Sequence, residues 1–159
     1  MRWLILLLVP SLSEAAPRLL DARTYHLGTP GFPEWEEFAG KTPHGRRLDV
    51  KFEARVNAAE HTVFIRQRQV KHRWAVLLNN KRLGWLQAVD TPLIQSLTIP
   101  PKALKDGENL LSIVAPKATD DIEVGPIHLA SATAATTLKQ GAIIVHVHDG
   151  KQKPVPCRI

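Results

Sequence analysis

From residue 48 the chain alternates strictly, with Leu48, Val50, Phe52, Ala54 and Val56 on one side and Asp49, Lys51, Glu53, Arg55 and Asn57 on the other. A period of two sends successive side chains to opposite faces, so residues 48–57 predict a half-buried strand. Residues 62–70 continue the pattern, Val63 and Ile65 alternating with Phe64, Arg66 and Arg68, and residues 74–78 form a third strand. If Val76 and Leu78 face inward there, so does Trp74. The run Asn79-Asn80-Lys81-Arg82 then reads as a hairpin turn, because Asn tolerates positive φ, and it delivers the chain into Leu83-Gly84-Trp85-Leu86. Short strands over 94–99, 110–115 and 122–130 follow, separated by Pro100-Pro101, by the turn 105–109 and by Asp120-Asp121. Strands at this spacing, with no amphipathic helix of useful length, predict an all-β fold, an antiparallel β-sandwich.

The flanks read differently. Residues 1–15 have an export signal's layout: Arg2, the apolar run 3–9, and small residues at Ser13 and Ala15 ahead of cleavage. Localisation is then secreted or periplasmic. The apolar run is too short to span a bilayer, so the protein is expected not to be membrane-spanning. Residues 16–47 are broken by Gly28, Pro30, Gly31, Pro33, Gly40, Pro43 and Gly45, which predicts an irregular, extended lead-in clipped onto the sandwich by Phe32, Trp35 and Phe38. The sandwich core occupies 48–130, and the Thr- and Ala-rich stretch 131–141 suits a linker. Residues 142–159 resume a strand, a turn at Asp149-Gly150 and a second extended run, the expected opening hairpin of a truncated second β-domain.

Composition narrows the classes. The 159 residues leave about 144 after the signal, one ordinary domain rather than a multidomain enzyme. With 21 Lys and Arg against 15 Asp and Glu the net charge is +6, which favours an acidic partner without naming one. The lone Cys157 excludes an internal disulfide, so a packed core must hold the domain together.

The segment Arg23-Thr24-Tyr25-His26-Leu27-Gly28-Thr29-Pro30-Gly31, followed by residues 33–38, looks like the start of secreted planctomycete-type proteins. Together with Trp74-Ala75-Val76-Leu77-Leu78-Asn79, Ile99-Pro100-Pro101 and Asp106-Gly107-Glu108-Asn109-Leu110-Leu111-Ser112-Ile113, it resembles a galactose-binding-like jelly-roll module. That module precedes the catalytic domain of CehA/McbA-group metallohydrolases of the PHP superfamily. The tail from Val145, with Pro154-Val155-Pro156, resembles the opening of a carboxypeptidase-regulatory-like domain. These are turn and core signatures, which specify fold better than activity. The family's catalytic His and Asp ligands are absent from this chain, so the resemblance implies an accessory module and no hydrolase activity.

Candidate chemistry is sparse. His146-Val147-His148 places two imidazoles on one strand face, roughly 6.5–7 Å apart, a spacing that can share a metal, but further ligands are missing and no specific metal is expected. Asp120 and Asp121 could offer oxygens to a structural Ca²⁺; without a spaced ligand loop the favoured reading is a solvated turn. No other cofactor is expected. No catalytic triad, nucleophile elbow or phosphate-cradling Gly loop can be assembled. Arg66, Arg68 and Arg82 with Trp85 form the remaining candidate, since rings stack on apolar sugar faces while guanidinium forks hold carboxylate or sulfate. Nucleic acid is a poor fit for an exported chain with no recognition helix. The expectation is thus an exported, non-catalytic sandwich that assists a covalently continuous metal-dependent hydrolase and has weak carbohydrate affinity. The alternative is a stand-alone binder of a neutral or anionic glycan.

Overall fold

The computed structural model of the chain describes residues 16–139 together with Lys151 and Lys153. Strands β1 (Arg18–Asp21), β2 (Tyr25–Leu27), β3 (Arg47–Ala54), β4 (His61–Arg68), β5 (Ala75–Leu78), β6 (Lys81–Trp85), β7 (Leu93–Ile99), β8 (Gly107–Val114) and β9 (Ile122–Ala130) form two antiparallel sheets. The first has the order β1-β9-β4-β7, with β2 also on β9, and the second the order β3-β8-β5-β6. From β3 onward the chain crosses between the sheets at almost every connection, the winding of a jelly roll. The all-β sandwich expected from the alternation is the observed fold.

The two inner faces meet over Leu48, Val50, Val63, Ile65, Trp74, Val76, Leu78, Leu111, Ile113, Val124 and Ile127, all buried. Trp74 lies at the centre, fully buried as its phase with Val76 and Leu78 requires. Strand β4 is buried on both faces, including Thr62 and Phe64, because it lies between β9 and β7 and its outer side is also covered. Part of the cover is the chain after β9: the Thr62 hydroxyl donates to the Ala132 carbonyl (2.8 Å), and Leu138 and Thr137 border a cavity with Phe64, Ile94 and His128. That stretch, read as linker, contains one helical turn, α1 (Ala134–Thr137), capped by Thr133.

The reading of residues 16–47 as irregular needs correction. β1 and β2 lie inside it and pair with β9, Arg18 opposite Leu129 and Tyr25 opposite Val124. At four and three residues they are too short to show a period, and Gly and Pro crowd the chain after them. Their approach to β9 is close: a Cβ on Gly125, whose φ is +106°, would lie 2.1 Å from the Arg23 carbonyl oxygen, so only glycine fits. Residues 28–45 form one loop whose ends meet through Gly28 N–H to Gly45 O (3.0 Å) and His44 N–H to His26 O (2.7 Å). Of the three aromatic clips expected there, Phe38 is buried, Trp35 half-buried and Phe32 66% exposed, so Phe32 does not serve. The expected signal at 1–15, the pair His146 and His148, Cys157 and the 142–159 hairpin lie outside the described residues, Lys151 and Lys153 excepted.

Candidate functional site

Two places are candidates for a site: the outer face of the β3-β8-β5-β6 sheet, and a cavity under the 28–45 loop. The outer face depends on an irregularity in the hairpin of β5 and β6. Asn79 and Asn80 make its turn with φ of 49° and 66°, the left-handed pair that a two-residue hairpin needs. Leu77 then pairs with Arg82, but Val76 pairs with Gly84, leaving Leu83 as an extra residue in β6. Arg82 and Trp85 are three apart and would face opposite sides of a regular strand; the bulge puts both outward while Leu83 packs against the core. The Arg82 guanidinium carbon lies 4.6 Å from the Trp85 ring centroid, and Trp85 is 38% exposed.

Register extends this pair into two rows across the sheet, Trp85-Ala75-Val114-Arg47 and Arg82-Leu77-Ser112-Asp49. Four strands at about 4.8 Å spacing make each row roughly 14 Å long. In the middle of the face Ala75, Leu77 and Val114 are half-buried and Ser112 is fully buried, and the far side is a polar network. There the Arg47 Nε–H donates to both Asp49 oxygens (2.8 and 2.9 Å), Arg47 Nη2 donates to Ser112 Oγ (2.9 Å), and the Ser112 hydroxyl donates to Asp49 Oδ1 (2.6 Å). The Arg47 bond holds the Asp49 carboxyl below its ordinary value against the opposing effect of burial.

The four residues grouped in the sequence are not brought together. Arg66 and Arg68 lie on β4 of the other sheet, Arg66 opposite the exposed Ile94. Arg68 bridges Glu37 (2.8 Å) and Glu123 (3.1 Å), tying the helical turn Glu36–Phe38 to β9. Only Arg82 and Trp85 form a shared surface.

Asp120 and Asp121 are buried, which corrects the reading of a solvated turn. Asp120 Oδ2 accepts the backbone N–H of Lys71 (3.2 Å) and His72 (2.8 Å) and the indole N–H of Trp74 (2.9 Å). A turn pattern cannot reveal such donors, which come from nearly fifty residues upstream. Desolvation dominates, pushing the Asp120 carboxyl above its ordinary value, with the charge of Glu34 acting in the same direction and the three donors opposing both. Asp121 Oδ2 accepts the Glu34 N–H (2.8 Å), while its Oδ1 lies 3.4 Å from His26 Nε2. The second oxygens of both aspartates and both ring nitrogens of His26 are buried without a hydrogen-bond partner. Gly28 is required here, since a Cβ on it would lie 1.5 Å from Asp121 Oδ1. His26 stacks on Phe38 with centroids 4.0 Å apart, and it lines, with Asp121, a cavity of about 230 Å³ bordered by Thr29, Pro33, Lys41, Thr42 and Pro43. His26 and Asp121 lie far apart in sequence, and no spacing signal links them. Among the described residues no three His, Cys, Asp or Glu side chains converge as a metal site, and no helix is long and apolar enough to cross a membrane.

No family model matches the chain, and no curated protein does. Among solved structures it is similar to a GH26-CBM35 β-(1,4)-mannanase from Podospora anserina at 17% identity and a TM-score of 0.40, covering 70% of this chain and 28% of that one. It is also similar to the CBM36-1 domain of a multidomain xylanase from the hindgut metagenome of Trinervitermes trinervoides, at 12% identity and a TM-score of 0.34, covering 65% of this chain and 97% of that domain. The chain therefore spans little more than a quarter of the mannanase's length.

Proposed function

We propose that this protein is a non-catalytic glycan-binding sandwich whose ligand lies across the outer face of β3-β8-β5-β6. The observation that carries the reading is the β6 bulge, which turns an exposed Trp85 and Arg82 to the same side at the end of two rows that finish in Arg47 and Asp49. An aromatic ring stacks on the C–H face of a sugar, and fixed donors and acceptors hold its hydroxyls, so a face of this kind suits an extended oligosaccharide. The sequence resemblance supports a second part of the proposal, that the module is exported and assists a larger metal-dependent hydrolase. A stand-alone glycan binder is the alternative, favoured by the same face.

Titration calorimetry of the protein against a panel of neutral and anionic polysaccharides tests the reading. Saturable binding is expected to weaken about tenfold or more in Trp85→Ala, equivalent to ~1.4 kcal/mol or more. Arg82→Ala separates the ligand classes, because an anionic glycan loses a charge-assisted contact and its salt dependence, whereas a neutral one loses neither. Absence of binding across the panel, or binding indifferent to Trp85→Ala, overturns the proposal.

A further inference from the structure

We propose that the cavity beneath the 28–45 loop is a second binding site, which takes a single small neutral ring bearing adjacent hydroxyls, such as the terminal residue of a glycan. Its ligand class rests on the glycan-binding reading, while its location rests on independent residues.

The cavity is polar where polarity is costly. Asp121 and His26 both line it, the Asp121 side chain is 1% exposed, and neither Asp121 Oδ1 nor either His26 nitrogen makes a hydrogen bond in the protein, Oδ1 and Nε2 standing 3.4 Å apart. A buried acceptor without a hydrogen bond costs about 1–3 kcal/mol, and the cavity adjoins these groups. The chemistry of a ligand follows from the lining. A carboxylate oxygen accepts only; a neutral imidazole donates at one nitrogen and accepts at the other; the Thr42 hydroxyl does both, and the Thr29 hydroxyl, whose oxygen already accepts from Arg46 Nη1, has its proton to donate. A ligand must therefore donate and accept from neighbouring atoms, as adjacent hydroxyls do.

Charged ligands fit poorly. The Asp121 carboxylate opposes an anion, and Lys41 at the rim opposes a cation. The walls complete the match, since the His26 ring is stacked on Phe38, and Pro33 and Pro43 present C–H surface to the apolar side of a ring. Volume sets the size: about 230 Å³ is below the ~300–1,000 Å³ of sites for drug-sized ligands. The site thus holds one ring of a chain's end, whereas the two rows across the Trp85 face suit several consecutive rings.

Ligand-observed saturation-transfer NMR with the methyl glycosides of glucose, galactose, mannose and xylose tests the proposal on the full chain. Saturable millimolar binding of at least one glycoside is expected, weakened about tenfold or more by His26→Ala. Thr42→Phe, at an exposed rim position where folding is not at stake, is expected to block the cavity with the same loss. Trp85→Ala should leave this binding unchanged, while removing polysaccharide binding at the sheet face. No saturable signal from any glycoside up to about 50 mM, or binding that survives Thr42→Phe, overturns the cavity site and leaves the sheet-face reading standing. Loss of glycoside binding in Trp85→Ala assigns it to the sheet face and also overturns the cavity site.

Discussion

Asp21 and Asp120 are both buried carboxylates beside β9, and their surroundings move them in opposite directions. Asp21 ends β1 and receives the backbone N–H of Arg23 (2.9 Å), the Arg23 guanidinium at two nitrogens (3.0 and 2.8 Å) and the Tyr25 hydroxyl (2.8 Å). Its carboxyl is held well below the usual carboxylate range, chiefly by the Arg23 side-chain bonds against a smaller effect of burial. Asp120 receives three neutral donors on one oxygen and none on the other, and burial prevails. The number of donors is similar, so the charge of one donor and the use of both oxygens decide the outcome. Asp21 is a satisfied corner of the fold, whereas Asp120 and Asp121 form a junction that orders two loops and retains unused acceptors.

Removing each carboxylate separates the two roles. Asp120→Ala leaves the N–H groups of Lys71, His72 and Trp74 unpaired beside the core, at about 1–3 kcal/mol each. A loss of about 3 kcal/mol or more is expected in urea unfolding, a large part of a typical 5–15 kcal/mol. A loss below about 1 kcal/mol would mean that water replaces the carboxylate and the junction is not a structural clasp.

The next effect is in pH dependence. Because the Asp21 carboxyl is lowered in the folded state, its contribution is present above the unfolded value near ~3.9 and is lost as pH falls toward the depressed folded value. Asp120 is raised, so the folded state keeps its proton longer, and stability associated with it falls as pH rises from about 4 through the raised folded value. Stability differences between the wild type and Asp21→Asn, and between the wild type and Asp120→Asn, are expected to slope in opposite directions in urea titrations over about pH 3–7. Parallel slopes would remove the contrast. Smallest of all is Arg47→Ala on the outer sheet face, where an exposed ion pair with Asp49 is worth about 0–1 kcal/mol. A larger loss would show that the polar network there stabilises the sandwich as well as offering contacts to a ligand.

Much of the sandwich was legible where one face is wet. The alternation of 48–54 in β3, the Asn79-Asn80 turn and the inward phase of Trp74 all express local rules that the fold obeys. β1 and β2 escaped because strands of four and three residues have no measurable period, and their reason for existing is the exposed edge of β9 a hundred residues later. The site was legible only as residue types. Trp85 and Arg82 were visible as an aromatic-basic pair, but their common face depends on an extra residue in β6 that alternation alone would have assigned to opposite sides. Arg68 carries the same charge as Arg82 and is instead engaged by Glu37 and Glu123. For Asp120-Asp121, a sequence that favours turns through local hydrogen bonds was taken over by donors from Lys71, His72, Trp74 and Glu34.

The strand order also governs when the molecule can assemble. β8 lies between β3 and β5, and β9 lies between β4 and both β1 and β2, so each sheet is joined through one of the last two strands among the described residues. Until they arrive, the β5–β6 hairpin is the main pairing between neighbours in sequence, and β1 waits for a partner at Leu129. Closure over such separations is slow, on the order of milliseconds to seconds for all-β sandwiches. A nascent chain that has emerged only as far as β7 is a set of open edges, and any factor that delays β8 or β9 prolongs its exposure to pairing with other chains.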